Sequence, residues 1–216
     1  MEPFALALAG AGAVLGFLAD RLATRWPEHD EEHPAGRRID WRTAVCTIVG
    51  GVAFGLLPGQ FPGNPLALAA FAAWFVTLVI GLATDLDQRL LPDELTLPVI
   101  PLALLFAVSG LNPFVGSALL SAILAAVLIP AVLYLPSIPF GAGAFGMGDV
   151  KFLVGMGLML CGERALGATL VGLLIAGVVL VALLAARRIG RKSYIPFGPF
   201  LIIGAMWGVL ILRPAP

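Results

Sequence analysis

The sequence predicts an all-α polytopic membrane protein with about eight transmembrane helices and both termini outside. Of its 216 residues, 60% are hydrophobic and 12% are charged, and the mean hydropathy is +1.00. A soluble domain carries about 25% charged residues and cannot enclose so much apolar surface in one core, so the excess must face lipid. Disordered chains are polar and charged, so the same composition excludes disorder. The net charge of zero gives no indication of a nucleic-acid partner.

Apolar stretches long enough to cross a bilayer recur along the whole chain. A transmembrane helix needs about 20 largely apolar residues, and a helix satisfies its own backbone hydrogen bonds in lipid. We interpret the first stretch as a retained span, because Asp20, Arg21 and Arg25 follow it instead of a signal-peptide cleavage site. In it, Gly12 and Gly16 form a small-xxx-small pair that favours close helix packing. Eight segments qualify, some only marginally: 3–20, 43–59, 65–84, 95–111, 115–136, 148–161, 165–186 and 195–212.

The Lys and Arg residues predict the orientation of these segments. With the N-terminus outside, all of the 13 basic residues except Arg164 and Arg213 lie inside, which is a strong positive-inside bias. Two hydrophilic stretches, 26–42 and 187–194, are then inside, and we expect the second to contact anionic lipid headgroups. Neither stretch is long enough to fold by itself. Residues 1–216 are therefore predicted to form a single membrane-embedded domain.

Two aspartates are candidates for chemistry. Asp85 lies where the third segment ends and Asp149 where the sixth begins, so the predicted topology places both near the inner face. An ionisable group inside a membrane costs about 2.5–3.5 kcal/mol on insertion scales and is a functional-site hypothesis by default. Two facing carboxylates can share a proton, so that one activates water while the other polarises a peptide carbonyl, without a metal or cofactor. Gly146 and Gly148 precede Asp149 and let a substrate backbone come close.

Other interpretations of Asp85 and Asp149 are open at this point. They could cap helices or pair with Arg89 and Lys151 at the membrane interface. They could bind protons or cations in a small transporter, which predicts ionisable groups near the middle of helices rather than at one face. The chain could also be a structural membrane subunit that packs against partners through its glycines.

Two neighbouring acidic residues compete with Asp85 for a catalytic role. Asp87 lies about 200° around a helix from Asp85, so the two side chains cannot both face Asp149. Pro92 indicates that Asp93 caps the following helix.

Two short motifs match known sites but lack the structural context that those sites need. Residues 141–146 satisfy GxGxxG, but they follow prolines instead of a β-strand, so no dinucleotide site is predicted. Residues 29–33 satisfy the HxxEH zinc pattern, but Pro27 and Pro34 bracket them closely and oppose the helix that would orient both histidines. We therefore predict no metal site.

Three segments resemble the type IV prepilin peptidases, a family of GxGD-type membrane aspartic proteases. Residues 85–96, DLDQRLLPDELT, are similar to the family's DxDxxxLPDxLT, and residues 146–151, GMGDVK, to its GxGDxK. Residues 195–200, IPFGPF, are similar to the segment before the family's last helix, and residues 16–27 match its N-terminal motif more weakly. The resemblance implies that Asp85 and Asp149 are the catalytic pair.

The resemblance also implies a substrate, a location and further site residues. The substrate is a type IV prepilin or pseudopilin with a short basic leader, cut at the cytoplasmic face of the bacterial inner membrane. Bifunctional members carry a zinc domain with paired CxxC motifs after the first helix, whereas here residues 26–42 hold no cysteine, so N-methyltransferase activity is not expected. The expected supporting or substrate-binding residues are Asp93, Gly146, Gly148, Lys151, Pro196, Phe197, Gly198 and Pro199.

Overall fold

The computed structural model describes residues 3–29, 35–140, 145–188 and 196–211, and these ranges contain helices and loops without a strand. Two short 3-10 segments, Leu57–Gln60 and Leu135–Phe140, extend the second and sixth helices. The α-helices are α1 (Pro3–Ala23), α2 (Trp41–Leu56), α3 (Pro65–Gln88), α4 (Asp93–Thr96), α5 (Val99–Val108), α6 (Leu119–Tyr134), α7 (Met147–Leu160), α8 (Gly162–Ala185) and α9 (Gly198–Leu210).

Some residues used in the sequence predictions lie outside the described ranges. These are part of the first hydrophilic loop (30–34), most of the GxGxxG match (141–144), Ile195, and the basic residues Arg191, Lys192 and Arg213.

The predicted fold class is confirmed: the chain is an all-α polytopic membrane protein. In the described ranges, five stretches are long and apolar enough to cross a membrane. The helices α5, α7 and α9 are shorter, with 10, 14 and 13 residues. At about 1.5 Å per residue they span less than the roughly 30 Å of a bilayer's hydrocarbon core. The number of crossings and the side of the termini therefore stay predictions. The five long stretches are Pro3–Ala23, Trp41–Gln60, Pro65–Gln88, Leu119–Pro139 and Gly162–Ala185.

Each of the eight predicted segments contains a helix, but the fourth is not one continuous span. Within 95–111, the single turn α4 is followed by α5, and Pro98 lies between them. Proline has no backbone N–H, so it removes a hydrogen bond from the helical ladder. The chain after α3 therefore forms a short turn near Asp85 before it continues into α5.

The long helix α3 lies at the centre of the bundle and positions the site. It packs against α1, α2 and α9, while α9 also packs against α7 and α8. Asn64 caps the start of α3 by accepting a hydrogen bond from the Ala67 N–H at 3.0 Å, and Pro65 occupies its first turn. Arg89 ends α3 in a left-handed conformation, with φ of 57°. Asp85 is thereby fixed in the last turn of a buried helix.

The two ends of the bundle differ in character. At the end where α9 finishes, Gln60 donates a hydrogen bond to the Leu210 carbonyl at 2.6 Å, and Arg164 donates one to the Gly208 carbonyl at 2.8 Å. Asp85 contacts Gly198 at the other end of α9. Arg164 thus lies at the opposite end from Asp85, as the predicted charge partition requires.

Candidate active site

Asp85 is a buried carboxylate in the last turn of α3. Its side chain lies against Gly198, where a Cβ would approach the carboxylate oxygens to 2.8 and 3.2 Å. Within the described part of the chain, its Oδ2 is buried and has no hydrogen-bond partner. A buried polar atom left without a partner costs about 1–3 kcal/mol, so such atoms concentrate at functional sites. This oxygen is available to a water molecule or a substrate group.

Asp149 is the second buried carboxylate, in the first turn of α7. The backbone N–H of Gly146, at the start of this helix, lies at its carboxylate. An acidic side chain is favourable there because the N-terminal end of a helix carries a partial positive charge. The charge of Asp149 acts on Asp85, so the two carboxylates lie within electrostatic range of each other. Asp149 is therefore stabilised by the N-terminal end of α7 and also lies where it can act together with Asp85.

The helices that carry the two aspartates meet across a small cavity. It measures about 20 Å³ and is lined by α3, α4, α5, α7 and α9, including Gly81 of α3 and Phe152 of α7. Its walls are almost wholly apolar, and the two aspartates are not among the residues that line it. At the same end of the bundle, Phe145 and Phe197 pack edge to face with ring centroids 5.9 Å apart. This pair joins the chain before α7 to the chain before α9, next to both aspartates.

Lys151 and Arg89 do not form the ion pairs with Asp149 and Asp85 that one of the alternative interpretations expects. Lys151 donates to both carboxylate oxygens of Asp93, at 2.6 and 2.7 Å, and so joins α7 to α4. Arg89 lies within electrostatic range of Asp85, but it leaves Oδ2 without a partner in the described part of the chain. The prediction that Asp93 caps a helix is wrong: α4 has Pro92 at its cap position and no side-chain cap hydrogen bond.

The predicted glycines and prolines have identifiable contacts. Gly148 lies against Leu91, where a Cβ would be 2.9 Å from the backbone oxygen and 3.0 Å from the Leu91 Cβ. Its contact is thus with the chain between α3 and α4. Gly198 and Pro199 are both buried at the start of α9, and Pro196 and Phe197 precede them, half-buried. Of these four residues, Gly198 lies directly against the Asp85 carboxylate.

Asp87 points away from Asp85, as its position around the helix predicts. Its Oδ1 accepts hydrogen bonds from Arg37 at 2.6 Å and Arg42 at 3.1 Å, and the His29 ring nitrogen lies 3.4 Å from Oδ2. Burial lowers the pKa of Arg37, but its hydrogen bonds to Asp20 and Asp87 outweigh burial and raise that pKa above its ordinary value. Asp87 therefore belongs to an ion-pair network that connects the last turn of α3 to the loop after α1 and to the start of α2.

Comparison with known proteins assigns the chain to a family. The sequence profile described as the Type IV leader peptidase family matches residues 71–185, which is more than half of the chain and includes Asp85 and Asp149. The chain belongs to the type IV leader peptidase family. This confirms the resemblance to the family, and the matched range includes the DxD and GxGD segments that carry it.

Several relatives in this family are named prepilin leader peptidase/N-methyltransferase. The one from Aeromonas salmonicida (strain A449) is 30% identical over 181 residues, which cover 81% of this chain and 59% of the relative. The one from Pectobacterium carotovorum subsp. carotovorum is 30% identical over 169 residues (77% and 58%), and the one from Burkholderia pseudomallei (strain K96243) is 34% identical over 158 residues (72% and 50%). The chain thus spans only 50–59% of the length of these relatives. No solved structure matches the chain.

Sequence reasoning missed several residues around the site of this family member. Leu91 contacts Gly148, and Phe145 contacts Phe197. Leu91 lies within the DLDQRLLPDELT segment, but neither residue was predicted to be part of the site. Asp20 and Arg37 lie in the ion-pair network with Asp87, and Asp20 is fully buried. A charged residue at the end of the first apolar segment was a signal for Asp20, because buried charges need partners.

Proposed function

We propose that the chain is an intramembrane aspartic endopeptidase that removes the short basic leader from type IV prepilins or pseudopilins. The observation that carries the proposal is the family match over residues 71–185, which includes two buried aspartates within electrostatic range of each other. The names of the relatives support leader-peptide cleavage and give no support to the transporter alternative. In the proposed location, the bacterial inner membrane, cleavage takes place at the cytoplasmic face.

In the proposed mechanism, Asp85 and Asp149 are the catalytic residues. One carboxylate, ionised, takes a proton from water while the other, protonated, donates a hydrogen bond to the scissile carbonyl. The water oxygen thereby attacks the carbonyl carbon and forms a tetrahedral intermediate. When the C–N bond breaks, the carboxyl that took the proton from water gives it to the leaving amine, so that one carboxyl is again ionised and the other protonated. Among the residues that the structure describes, Oδ2 of Asp85 has no hydrogen-bond partner. This supports the arrangement, because Oδ2 can accept the proton of a bound water or, when protonated, donate to a substrate carbonyl.

We also propose that residues 1–216 act as one membrane-embedded peptidase domain without N-methyltransferase activity. The support comes from residues 26–42, the loop after the first helix, which contain no cysteine that could hold zinc. The supporting roles proposed for the other predicted residues follow their contacts. Lys151 and Asp93 hold α4 on α7, and Gly198, in the segment 196–199, lies against Asp85.

The test is cleavage of a synthetic peptide with a basic leader and a hydrophobic segment by the purified chain in detergent, read by mass spectrometry. Asp85→Asn and Asp149→Asn should each lower kcat by roughly 10²–10⁴-fold, the usual contribution of general acid–base catalysis. Since the mechanism uses two carboxylates and water, EDTA should leave the rate unchanged. Near-normal turnover by either variant contradicts the catalytic pair.

Glu163→Gln is the matched control for these variants. Glu163 is an exposed acid in the first turn of α8, next to Arg164 at the opposite end of the bundle. Its variant should cut the peptide at the wild-type rate. Helix content and the thermal midpoint should be unchanged in all three variants, so that a lost rate reports lost chemistry.

A further inference from the structure

One arginine in the loop after α1 joins three helices at the end of the bundle that holds Asp85. The Arg37 guanidinium donates to Asp20 of α1 at 2.5 Å, to Asp40 at the start of α2 at 2.5 Å and to Asp87 of α3 at 2.6 Å. A guanidinium carries five N–H donors in a fixed planar fork, so it can bind several carboxylates in one geometry. We call Arg37 and these three carboxylates the arginine clamp.

The arginine clamp is largely buried. Asp20 is fully buried and Asp87 is buried, while the Arg37 side chain is 16% exposed. Thr43 donates a further hydrogen bond to Asp20 at 2.7 Å, and Arg42 donates one to Asp87 at 3.1 Å. Buried charges are costly unless they are paired and hydrogen-bonded. Without Arg37, Asp20 would keep its ion pair with Arg21. Asp87 would keep Arg42 but lose its closest arginine. The loop is therefore tied firmly to the ends of α1, α2 and α3.

The last turn of α3 receives a second attachment from the same loop. The Gln88 amide donates to the carbonyls of Ala23 and Pro27, at 3.2 and 3.3 Å. Asp87 and Gln88 thus hold this turn from the loop side. Asp85 lies in the same turn and faces Gly198. The turn that carries Asp85 is therefore attached to the loop and also contacts the start of α9.

We propose that Arg37 and Asp87 are positioning residues that hold the last turn of α3 so that Asp85 faces Asp149; the proposal rests on the catalytic pair proposed above. Neither residue touches the reacting atoms. A catalytic group must be held within about 0.5 Å and 10–20° of its productive geometry, and its supporting hydrogen bonds supply that constraint. The arginine clamp acts through the backbone of one helical turn, from Asp87 to Asp85.

The kinetic test uses the full chain in detergent with the same leader peptide. Arg37→Met, Asp87→Asn and the double variant should each lower kcat per folded molecule at least tenfold, because a misplacement of about 1 Å can cost on the order of 10²-fold. KM should stay within twofold. Because both changes break the Arg37–Asp87 contact, the loss in the double variant should be smaller than the product of the two single losses. A purely structural role would reduce the folded fraction and leave kcat per folded molecule unchanged, and that result would overturn the proposal.

Arg38→Ala is the matched control. Arg38 is the next residue of the same loop, has the same charge and is exposed. Its variant should retain the wild-type kcat. An equal loss in Arg38→Ala would mean that loop charge, and not the arginine clamp, affects the rate, and would also overturn the proposal.

Amide hydrogen exchange tests the arginine clamp without reference to activity. The backbone amides of the last turn of α3 should exchange at least tenfold faster in Arg37→Met and Asp87→Asn than in wild type, while the amides of α8 should not change. Unchanged exchange in that turn overturns the proposal even if the rate falls. If the wild-type chain does not cut the peptide, the proposed function fails, and this measurement still decides whether the clamp holds the turn.

Discussion

The carboxyl group of Asp85 lies directly against the backbone of Gly198, so the residue at position 198 controls the space available to it. A Cβ at this position would lie 2.8 Å from Oδ2, 2.9 Å from Cγ and 3.2 Å from Oδ1. Real Cβ atoms do not approach other heavy atoms so closely, so Asp85 must move when the glycine is replaced. The glycine is therefore part of the site although it has no side chain.

We predict that Gly198→Ala lowers the rate of leader-peptide cleavage while the chain stays folded. The displaced carboxylate should lose on the order of 10–10²-fold in kcat, because a shift of about 1 Å is enough to spoil a catalytic geometry. The measurement is kcat per folded molecule in the peptide assay. Gly177→Ala is the control, since no atom lies within 4 Å of a Cβ at Gly177 in α8. An active Gly198→Ala variant would show that Asp85 does not need its present position.

For single residues, the sequence predicted the candidate catalytic aspartates better than it predicted which side chains contact each other. Asp85 and Asp149 stood out because the predicted topology places both carboxylates near the inner face of the membrane, and the GxGD and DxD patterns pointed to the same two positions. The pairing of Lys151 with Asp93 could not be read from the sequence, because it joins two elements 58 residues apart. The contact between Arg37 and Asp87 likewise depends on how an irregular loop folds back over α3.

The helices α1 and α2 pack closely through the glycine pair that the sequence indicated. A Cβ on Gly12 would overlap the backbone of Gly50, and a Cβ on Gly16 would overlap the backbone of Cys46. In lipid, small residues let two helix backbones approach because no larger side chain separates them. This contact holds α1 against α2, and Asp20 in the last turn of α1 pairs with Arg37.

We predict that Gly16→Val destabilises the chain. The added side chain has no room against Cys46, and overpacking of this kind costs about 1–3 kcal/mol. The thermal midpoint in detergent, followed by tryptophan fluorescence, should fall clearly below that of wild type. Gly10→Ala should melt like wild type, since nothing lies within 4 Å of a Cβ at that position. Equal midpoints for both variants would mean that the α1–α2 contact adds little to stability.

The positions of the helices were predictable to within a few residues, and their ends were not. Apolar stretches located every long helix, because a segment that faces lipid must be apolar along its whole length. The break within 95–111 occurs at Pro98. The end of α3 is set by the left-handed backbone of Arg89, which has no clear sequence signal. The loop 26–42 was predicted to be hydrophilic, but its buried ion pairs reflect tertiary contacts that a composition argument does not reveal.

In the whole molecule, charge is divided between the two ends of the bundle. Arg37, Arg42 and Lys151 lie with their carboxylate partners at the end that holds Asp85. Arg164 lies at the other end, where its guanidinium packs 4.0 Å from the centre of the Phe114 ring. A basic excess marks the cytoplasmic side of a membrane protein. The arrangement therefore supports the orientation in which Asp85 and Asp149 face the cytoplasm.

This orientation predicts which surface residues a membrane-impermeant thiol reagent can reach. The native Cys46 and Cys161 are buried, so both are first replaced by alanine to give a cysteine-free background. Leu111→Cys, in the exposed turn after α5, should be labelled in intact spheroplasts. Arg38→Cys, in the exposed loop after α1, should be labelled only after the membrane is opened.

The two cysteines should lie on opposite sides of the membrane because three crossings are predicted between them, and only an odd number of crossings separates two positions in this way. Labelling of both cysteines from the same side would require an even number, so that the short α5 would not cross. Labelling of Arg38→Cys in intact spheroplasts would place Asp85 at the outer face, away from the side on which a prepilin leader is presented.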